Sequence, residues 1–181
     1  MSRIPPVSDE KAGPPELVAA IRARRGGTLL AVDRMLLHSP AFAKGWNAHL
    51  GAVRNELMIP ARLRELAICI VAALNGAEYE FKMHVPIYLK EAGREDAPYA
   101  LRNVDLALGE PKLFDDDERA VIRFAVEMTR YVKVTDATFA AARSAVGGDA
   151  GIVELIGVVA TYNMVSRFLV ALGIESEKPG T

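Results

Sequence analysis

Apolar residues recur at intervals of three and four positions along most of the chain. Phe42, Trp46, Leu50 and Val53 give one clear example. This spacing places apolar side chains on one face of a helix. The alternation of apolar and polar residues that indicates a strand is nearly absent; residues 152–159 come closest, and the apolar positions that follow them favour a helix there too. The pattern therefore predicts an all-α fold.

Glycines, prolines and capping residues divide this pattern into about eight or nine helices. The predicted helices cover residues 16–25, 28–38, 41–56, 60–74, 77–91, 95–108, 115–131, 135–146 and 152–172, with a turn at 109–111. We expect a single-domain helical bundle over 16–175. The prolines within residues 1–15 predict an extended or disordered arm, and residues 176–181 form a short tail.

Composition changes this picture little, but it narrows the set of partners. The 181 residues suit one domain, and 22 basic against 23 acidic side chains give a net charge of -1. This balance provides no electrostatic basis for binding nucleic acid or an anionic membrane. No apolar run reaches the roughly 18 residues of a membrane span, and the first residues lack an apolar leader segment. We expect a cytoplasmic protein that binds neither nucleic acid nor a membrane.

The single cysteine, Cys69, excludes an intrachain disulfide, a CxxC redox pair and a four-cysteine zinc site. It lies in an apolar helix, where a buried thiol acting as a small hydrophobic side chain is favoured over a reactive one. We predict no cofactor. No metal is predicted either, because no second histidine lies at metal-ligand spacing from His84; two carboxylates and one histidine remain the alternative ligand set.

The candidate chemistry lies in the stretch NGAEYEFKMH, residues 75–84. Glu80 and His84 are one helical turn apart with Tyr79 beside them, and Glu65 lies on the preceding helix. Packed antiparallel, the two helices would bring Glu65 close to Glu80 and His84. A histidine between carboxylates, partly shielded from water, can move protons near neutral pH. The alternative is a solvated pair on the helix surface, with Glu65 in an ion pair to a neighbouring arginine.

These residues carry a resemblance to a known family. The segment RLRELAICIVAALNGAEYEFKMHVPIYLKEAG resembles the carboxymuconolactone decarboxylase family, which also contains the alkyl hydroperoxidase D-type proteins. The shared pattern is a glutamate in a proline-led helix, an apolar run, a small linker, then a histidine and a glycine: here Glu65, residues 66–74, Asn75-Gly76, His84 and Gly93. Residues 160–174 also resemble the family's closing helix. The resemblance implies an alkyl hydroperoxidase D-like all-α fold and a homo-oligomer, often a trimer or hexamer.

The chain departs from the hydroperoxidase branch of that family. That branch carries a CxxC pair before the histidine, in which one cysteine attacks the peroxide and the other resolves it. The matching positions here are Ala77 and Glu80, with Tyr79 at the intervening proton-relay position. Without these thiols the dithiol peroxidase cycle cannot run. The resemblance therefore implies a cofactor-independent, decarboxylase-like lyase acting on a small organic acid or lactone, with Glu65, Glu80 and His84 as catalytic residues and Tyr79 in support.

A substrate carboxylate needs a basic partner. The candidates are Arg62, Arg64, Lys82 and Arg167, and we select Arg62 and Arg167, together with Asn163 one turn before Arg167, as substrate-binding residues. For Asn163 and Arg167 the alternative is a capping or intersubunit contact. Because Glu80 would repel a second carboxylate, a neutral or monoanionic substrate is favoured over a polycarboxylate.

Two other hypotheses stay open beside the lyase. One is a peroxide-reducing, peroxiredoxin-like protein that uses Cys69 with an external thiol. The other is a helical oligomer that binds a ligand without catalysis. An unreactive Cys69 would remove the first, and ordinary ionisation of Glu80 and His84 would favour the second.

Overall fold

The computed structural model describes residues 2–95, 99–109 and 113–174, without the side chain of Leu106. These ranges contain nine α-helices, two short 3-10 helices (Asp9–Lys11 and Tyr99–Leu101) and no β-strand. The α-helices are α1 (Pro15–Arg24), α2 (Ala31–Leu36), α3 (Pro40–Asn55), α4 (Ala61–Leu74), α5 (Glu78–Ala92), α6 (Val104–Gly109), α7 (Asp116–Tyr131), α8 (Asp136–Ala145) and α9 (Asp149–Leu172). The predicted all-α fold with eight or nine helices is confirmed.

The helical domain divides into two compact units. The described residues up to Leu57, together with 171–174, form the first, and Met58–Val170 form the second. In the first unit, α3 buries Trp46, Leu50 and Val53, as their helical spacing predicted. Phe42 lies in the first turn of α3 and stays 47% exposed, although its ring meets that of Trp46 edge-on.

The N-terminal arm is held by hydrogen bonds within the first unit. The main-chain N–H of Arg3 donates to the carbonyl of Leu172 at 2.8 Å. Arg34 of α2 donates to the carbonyl of Val7 at 3.2 Å, and Nε2 of His38 lies 2.9 Å from a main-chain oxygen of Pro5. These contacts explain how a proline-rich segment with little helix of its own is positioned.

The second unit is built around α4. Every residue of the run 66–72 is at most 1% exposed, and α4 packs against both α5 and α7. A helix that is apolar on all sides is stable only when other elements surround it. α7 is capped at its start by Asp115, whose side chain accepts from the main-chain N–H of Glu118 at 2.8 Å, while Glu118 accepts in return from Asp115.

A glycine follows each of the two helices α4 and α5, at the positions where the sequence predicted that the helices end. Gly76 follows α4 with φ of 64°, and Gly93 ends α5 with the same φ value. This left-handed conformation favours glycine because a Cβ atom would be strained there. α5 continues through Pro86, which has no N–H to donate to the preceding turn. The short connection forces α4 and α5 to run antiparallel, which brings their facing side chains together.

The predicted helix over 95–108 is wrong in its described part. That part holds the 3-10 helix Tyr99–Leu101 and then the short α6. Pro98 lies within the predicted segment, and a proline disfavours the α conformation in the residue before it. Residues 96–98, residues 110 and 111 of the predicted turn, and the tail 176–181 lie outside the described residues.

By length and composition α9 is able to cross a membrane, and 44% of its most apolar stretch is buried inside the protein. Its polar side chains bind other parts of the second unit. Glu154 accepts from the main-chain N–H groups of Met58 and Ile59 at 2.9 and 2.7 Å, and Asn163 accepts from Asn75 at 3.1 Å. These contacts are typical of a helix in the core of a soluble domain. A cytoplasmic location stays a prediction.

Candidate active site

The antiparallel pair of α4 and α5 brings three ionisable side chains together, which we call the His84 cluster: Glu65, Glu80 and His84. Glu65 lies in the second turn of α4 and meets the face of α5 that carries the other two. Nδ1 of His84 is 2.5 Å from Oε2 of Glu65, and Nε2 is 2.9 Å from Oε1 of Glu80. Both ring nitrogens therefore face a carboxylate.

The His84 cluster is shielded from water. Glu65 is 0% exposed, His84 2% and Glu80 7%. This burial excludes the solvated surface pair that spacing alone allowed. Glu80 is the most exposed of the three, so it is the member that an incoming molecule would meet first. The catalytic role of the three residues stays a prediction.

Two shared protons are needed to hold the cluster together. A neutral imidazole carries one N–H and would present a lone pair to one of the carboxylates. The imidazolium form donates to both carboxylates; alternatively, a protonated Glu80 donates to a neutral ring that still donates to Glu65. These two forms have the same total charge and differ only in which atom holds one proton. A proton can therefore move between His84 and Glu80 while the net charge of the cluster stays the same.

The surroundings raise the pKa of His84. Burial by itself lowers this pKa, because desolvation disfavours the imidazolium, but the hydrogen bonds and negative charges of Glu65 and Glu80 outweigh burial. Cys69 lies one turn after Glu65 on α4 and is fully buried. Its burial, followed by the charges of the same two carboxylates, raises the pKa of the thiol. The field that favours an imidazolium thus suppresses a thiolate.

Two tyrosines lie close to the cluster in the chain or in space. Tyr79, predicted as a supporting residue, is 8% exposed in the first turn of α5 and precedes Glu80. Tyr162 of α9 was missed by the sequence reasoning: its ring meets the His84 ring edge-on, with centroids 5.1 Å apart and an interplanar angle of 83°. Such a contact restricts the orientation of the imidazole. The interruption of an apolar helix by Thr161 and Tyr162 was the available signal.

A second group, which we call the Glu118 cluster, surrounds the buried carboxylate of Glu118. It consists of Arg62, Tyr88, Arg94, Asp115 and Glu118. Oε1 of Glu118 accepts from the Tyr88 hydroxyl at 2.8 Å and lies 3.2 Å from Arg62. Oε2 accepts from Arg94 at 2.8 Å and from the main-chain N–H of Asp115 at 3.1 Å. Arg62 also donates to Asp115 at 2.6 Å. The structure thus places the predicted substrate-binding Arg62 in this cluster rather than with His84.

The other predicted substrate-binding residues bind each other. Arg167 donates to the side-chain oxygen of Asn163 at 2.7 Å and to its main-chain carbonyl at 2.9 Å. The amide of Asn163 donates to Thr129 at 2.9 Å. These contacts lie within α9 and beside it, and none of them joins either residue to His84. The substrate-binding role of both residues stays a prediction.

The remaining basic candidates differ in their placement. Nε of Arg64 lies 3.3 Å from Oε1 of Glu65, so Arg64 joins the edge of the His84 cluster, as the ion-pair alternative for Glu65 predicted. Nζ of Lys82 lies 3.6 Å from Glu78 on the exposed side of α5. Of the predicted cations, Arg64 is therefore the one that forms an ion pair with a member of the cluster.

Across the described ranges, no group of three or more His, Cys, Asp or Glu side chains has an arrangement suited to a metal ion. In the His84 cluster the reason is geometric. The two carboxylates lie at opposite nitrogens of one imidazole ring, and metal ligands must instead converge on a single point.

Residues 40–115 match the model of the carboxymuconolactone decarboxylase family. Solved structures extend the similarity over nearly the whole chain. An uncharacterized peroxidase-related protein from Silicibacter sp. TM1040 is 19% identical with a TM-score of 0.76, over 96% of this chain and 93% of that one. Another, the alkylhydroperoxidase AhpD core protein from Ralstonia eutropha JMP134, is 20% identical with a TM-score of 0.78, over 96% and 91%.

A third similar structure is the debrominase Bmp8 in complex with 2,3,4-tribromopyrrole. It is 18% identical with a TM-score of 0.74, and the match covers 97% of this chain and 95% of that one. At such identities the likeness establishes the fold alone. A comparison with curated protein sequences finds no match.

Proposed function

We propose that the chain is a cofactor-independent lyase of the carboxymuconolactone decarboxylase type, because residues 40–115 match the model of that family and the fold is that of alkyl hydroperoxidase D-like proteins. Its substrate is a small organic acid or lactone that loses its carboxylate as carbon dioxide. The observation that carries the proposal is the pair of short contacts from both ring nitrogens of His84 to buried carboxylates. This arrangement holds a proton that can be passed from His84 through Glu80 to a substrate carbon.

The proposed reaction balances with the residues of the cluster. The bond between the substrate carbon and its carboxylate breaks, carbon dioxide leaves, and the electron pair stays on the carbon. The proton on Nε2 of His84 moves to Oε1 of Glu80, and the Glu80 carboxyl passes it to that carbon. His84 is left neutral with its remaining proton towards Glu65, and the cluster recovers a proton from water through Glu80.

Glu80 is proposed as the group that meets the substrate, with His84 behind it. Nε2 of His84 is occupied by Glu80, and Glu80 is the more exposed of the two. Glu65 then fixes the ring and stabilises the imidazolium from the other side. The sequence alone suggested histidine as the donor and a glutamate as the orienting group; the geometry favours the chain Glu65–His84–Glu80 with the second glutamate at the reacting end.

The peroxide-reducing alternative receives no support from Cys69. Its side chain is fully buried and the pKa of its thiol is raised, whereas a reactive cysteine needs access and thiolate character. The non-catalytic alternative makes a different prediction, namely that Glu80 can be neutralised without changing any reaction.

The test is turnover in heavy water. Carboxymuconolactone and a panel of neutral and monoanionic lactones are incubated with the protein in D₂O, and NMR follows product deuteration and carbon dioxide release. We expect one panel member to be turned over, and Glu80→Gln to lower kcat by about 10²-fold or more. Glu91→Gln, on the exposed side of the same helix, is the control. Equal rates for Glu80→Gln and the control, or no turnover of any compound, would contradict the proposal.

We also propose that the chain forms a homo-oligomer, a trimer or hexamer. The support is apolar surface on α9, where Val153 is 67% exposed, Val170 49% and Met164 37%. Side chains of this type on one helix are expected to be covered by a partner. Light scattering after size-exclusion chromatography measures the mass directly, and a mass equal to one chain would contradict this proposal.

A further inference from the structure

A cavity of about 220 Å³ opens at the turn between α4 and α5, and its chemistry differs from that of the buried clusters. The described residues that line it are Ala72, Ala73, Gly76, Glu78, Phe81 and Arg102. Small side chains from the end of α4 form one wall. An aromatic ring and an ion pair form the other. The volume lies below that of sites for drug-sized ligands, so it suits a small molecule.

Arg102 already binds a carboxylate at this cavity. Its two terminal nitrogens lie 2.9 and 3.1 Å from the two oxygens of Glu78, which is the two-pronged geometry of carboxylate recognition. The guanidinium also stacks over the ring of Phe81, 4.4 Å from the centroid. An arginine held over an aromatic ring is restricted in its orientation, so it can accept another carboxylate without losing much side-chain freedom.

The contact with Glu78 is exchangeable. The side chain of Arg102 is 58% exposed and that of Glu78 50% exposed. Exposed ion pairs contribute little to stability, so displacing Glu78 from the guanidinium costs little. If the Glu78 carboxylate leaves Arg102, it can pair with Lys82 instead, because Nζ of Lys82 lies 3.6 Å from its oxygen.

We propose that this cavity binds a small, flat organic acid, whose carboxylate replaces Glu78 on Arg102 while its body lies between Phe81 and the alanines of α4. Without a ligand, the Glu78 carboxylate occupies the position on Arg102 that the ligand carboxylate would take. The ligand carboxylate would lie beside a fixed cation, and this compensates the repulsion that Glu80, two residues after Glu78, would otherwise exert. Arg102 then takes the anchoring role that the sequence assigned to Arg62 and Arg167.

The inference rests on the proposed function only in naming the bound acid as the substrate. Binding itself requires no turnover, so the two ideas can fail separately. If the acid binds but no lactone reacts, the proposed lyase activity is contradicted and the proposed binding site is not. If the acid does not bind, while turnover is normal and the pKa of His84 is raised, the proposed binding site is contradicted and the lyase activity is not.

The experiment measures binding of benzoate, whose ring and single carboxylate match Phe81 and Arg102, by isothermal titration calorimetry on the full chain. Benzamide, with the same shape and no charge, is the neutral probe. We expect Arg102→Gln to weaken benzoate binding about tenfold or more, since it removes a charge-assisted pair of hydrogen bonds. We expect Glu78→Gln to tighten binding severalfold, because the competing carboxylate is gone.

A second exposed ion pair supplies matched controls. Arg143 and Asp149 form a salt bridge at 2.5 Å elsewhere in the second unit, with side chains 49% and 84% exposed. Arg143→Gln and Asp149→Asn repeat both charge changes away from the cavity, and neither should alter benzoate affinity by as much as twofold. Equal benzoate affinity for the wild type, Arg102→Gln and Glu78→Gln, or equal binding of benzamide, would overturn the proposal. So would absence of benzoate binding to both the wild type and Glu78→Gln.

Discussion

The His84 cluster and the Glu118 cluster meet α5 one helical turn apart, at His84 and Tyr88. They stabilise buried carboxylates in different ways. In the Glu118 cluster one fully buried carboxylate is surrounded by four donors, two of them from arginines. In the His84 cluster two buried carboxylates share one imidazole. The positive charge is permanent in the first case and titratable in the second.

This difference distinguishes an ion cluster whose charges are fixed from one whose protons can move. A carboxylate has about four lone-pair positions, and those of Glu118 are all taken by donors. The two arginines cannot pass a proton to Glu118, since arginine does not lose its proton in proteins. His84 instead lies between two acceptors that compete for its protons. Helix α5 therefore contributes Tyr88 to a cluster with permanent positive charges and, one turn before it, His84 to a cluster whose positive charge is titratable.

Removing the carboxylate of the Glu118 cluster should have the largest effect on stability. Glu118→Ala removes the carboxylate that pairs with both arginines: Arg94 loses its counter-charge, while Arg62 keeps Asp115. We expect a loss of about 3 kcal/mol or more in the free energy of unfolding. The loss should be the same at pH 6 and pH 8, because the positive charge of an arginine is permanent in this range. Urea denaturation at both pH values measures it, and a loss that changes strongly between them would show the two clusters to be alike.

His84→Gln should have a smaller effect that depends on pH. A histidine whose pKa is raised on folding stabilises the protein below its unfolded value of 6.5, and this contribution is lost as the pH rises through the folded value. We expect a loss of about 1.5–3 kcal/mol at pH 6, shrinking as the pH rises above 6.5. Denaturation of wild type and variant across this range gives the difference, which should not grow with pH if the account is right.

Tyr88→Phe should cost about 1 kcal/mol, the usual contribution of one buried hydrogen bond. The Tyr88 hydroxyl donates to Glu118, and the other three donors of that carboxylate remain. Although Tyr88 lies one turn after His84 on α5, the variant should leave the pKa of His84 unchanged. A shift of that pKa by NMR titration would mean that the two clusters are coupled.

Arg64→Gln should have the smallest effect, no more than about 1 kcal/mol. Arg64 lies next to Glu65 in the chain, and its contact of 3.3 Å is longer than the 2.5 Å contact of His84. Denaturation by urea at pH 7 measures it. A loss as large as that of Glu118→Ala would mean that a permanent charge, rather than the imidazole, holds Glu65.

The sequence was sufficient for the parts of the site that depend on local spacing. Glu80 and His84 share a helical face because they are four residues apart, and the tight turn at Gly76 returns α5 along α4 so that Glu65 meets them. The contacts of Arg62 could not be predicted, because its partner Asp115 is 53 residues away and several acids were equally available. The contact of Tyr162 with His84 could not be predicted either. Tyr162 lies on α9, far from His84 in the chain, and only tertiary packing decides which side chains of α9 face His84.

Arg102 illustrates the limit in a different way. The segment 95–108 was expected to be one helix, so its arginine had no predicted partner. The 3-10 helix at Tyr99–Leu101 and the break before α6 place Arg102 over Phe81. A local error in the predicted secondary structure thus concealed an arginine that lines a cavity.

The protonation of His84 tests the central claim most directly. NMR titration of a protein labelled with ¹⁵N in histidine reports both ring nitrogens, with Glu65→Gln, Glu80→Gln and the exposed control Glu91→Gln measured alongside. The account predicts that both nitrogens carry protons at neutral pH, that the pKa lies above 6.5, and that it falls in the first two variants only. A neutral ring at pH 7 with a pKa at or below 6.5, unchanged by either variant, would contradict the proton-sharing cluster and the lyase built on it.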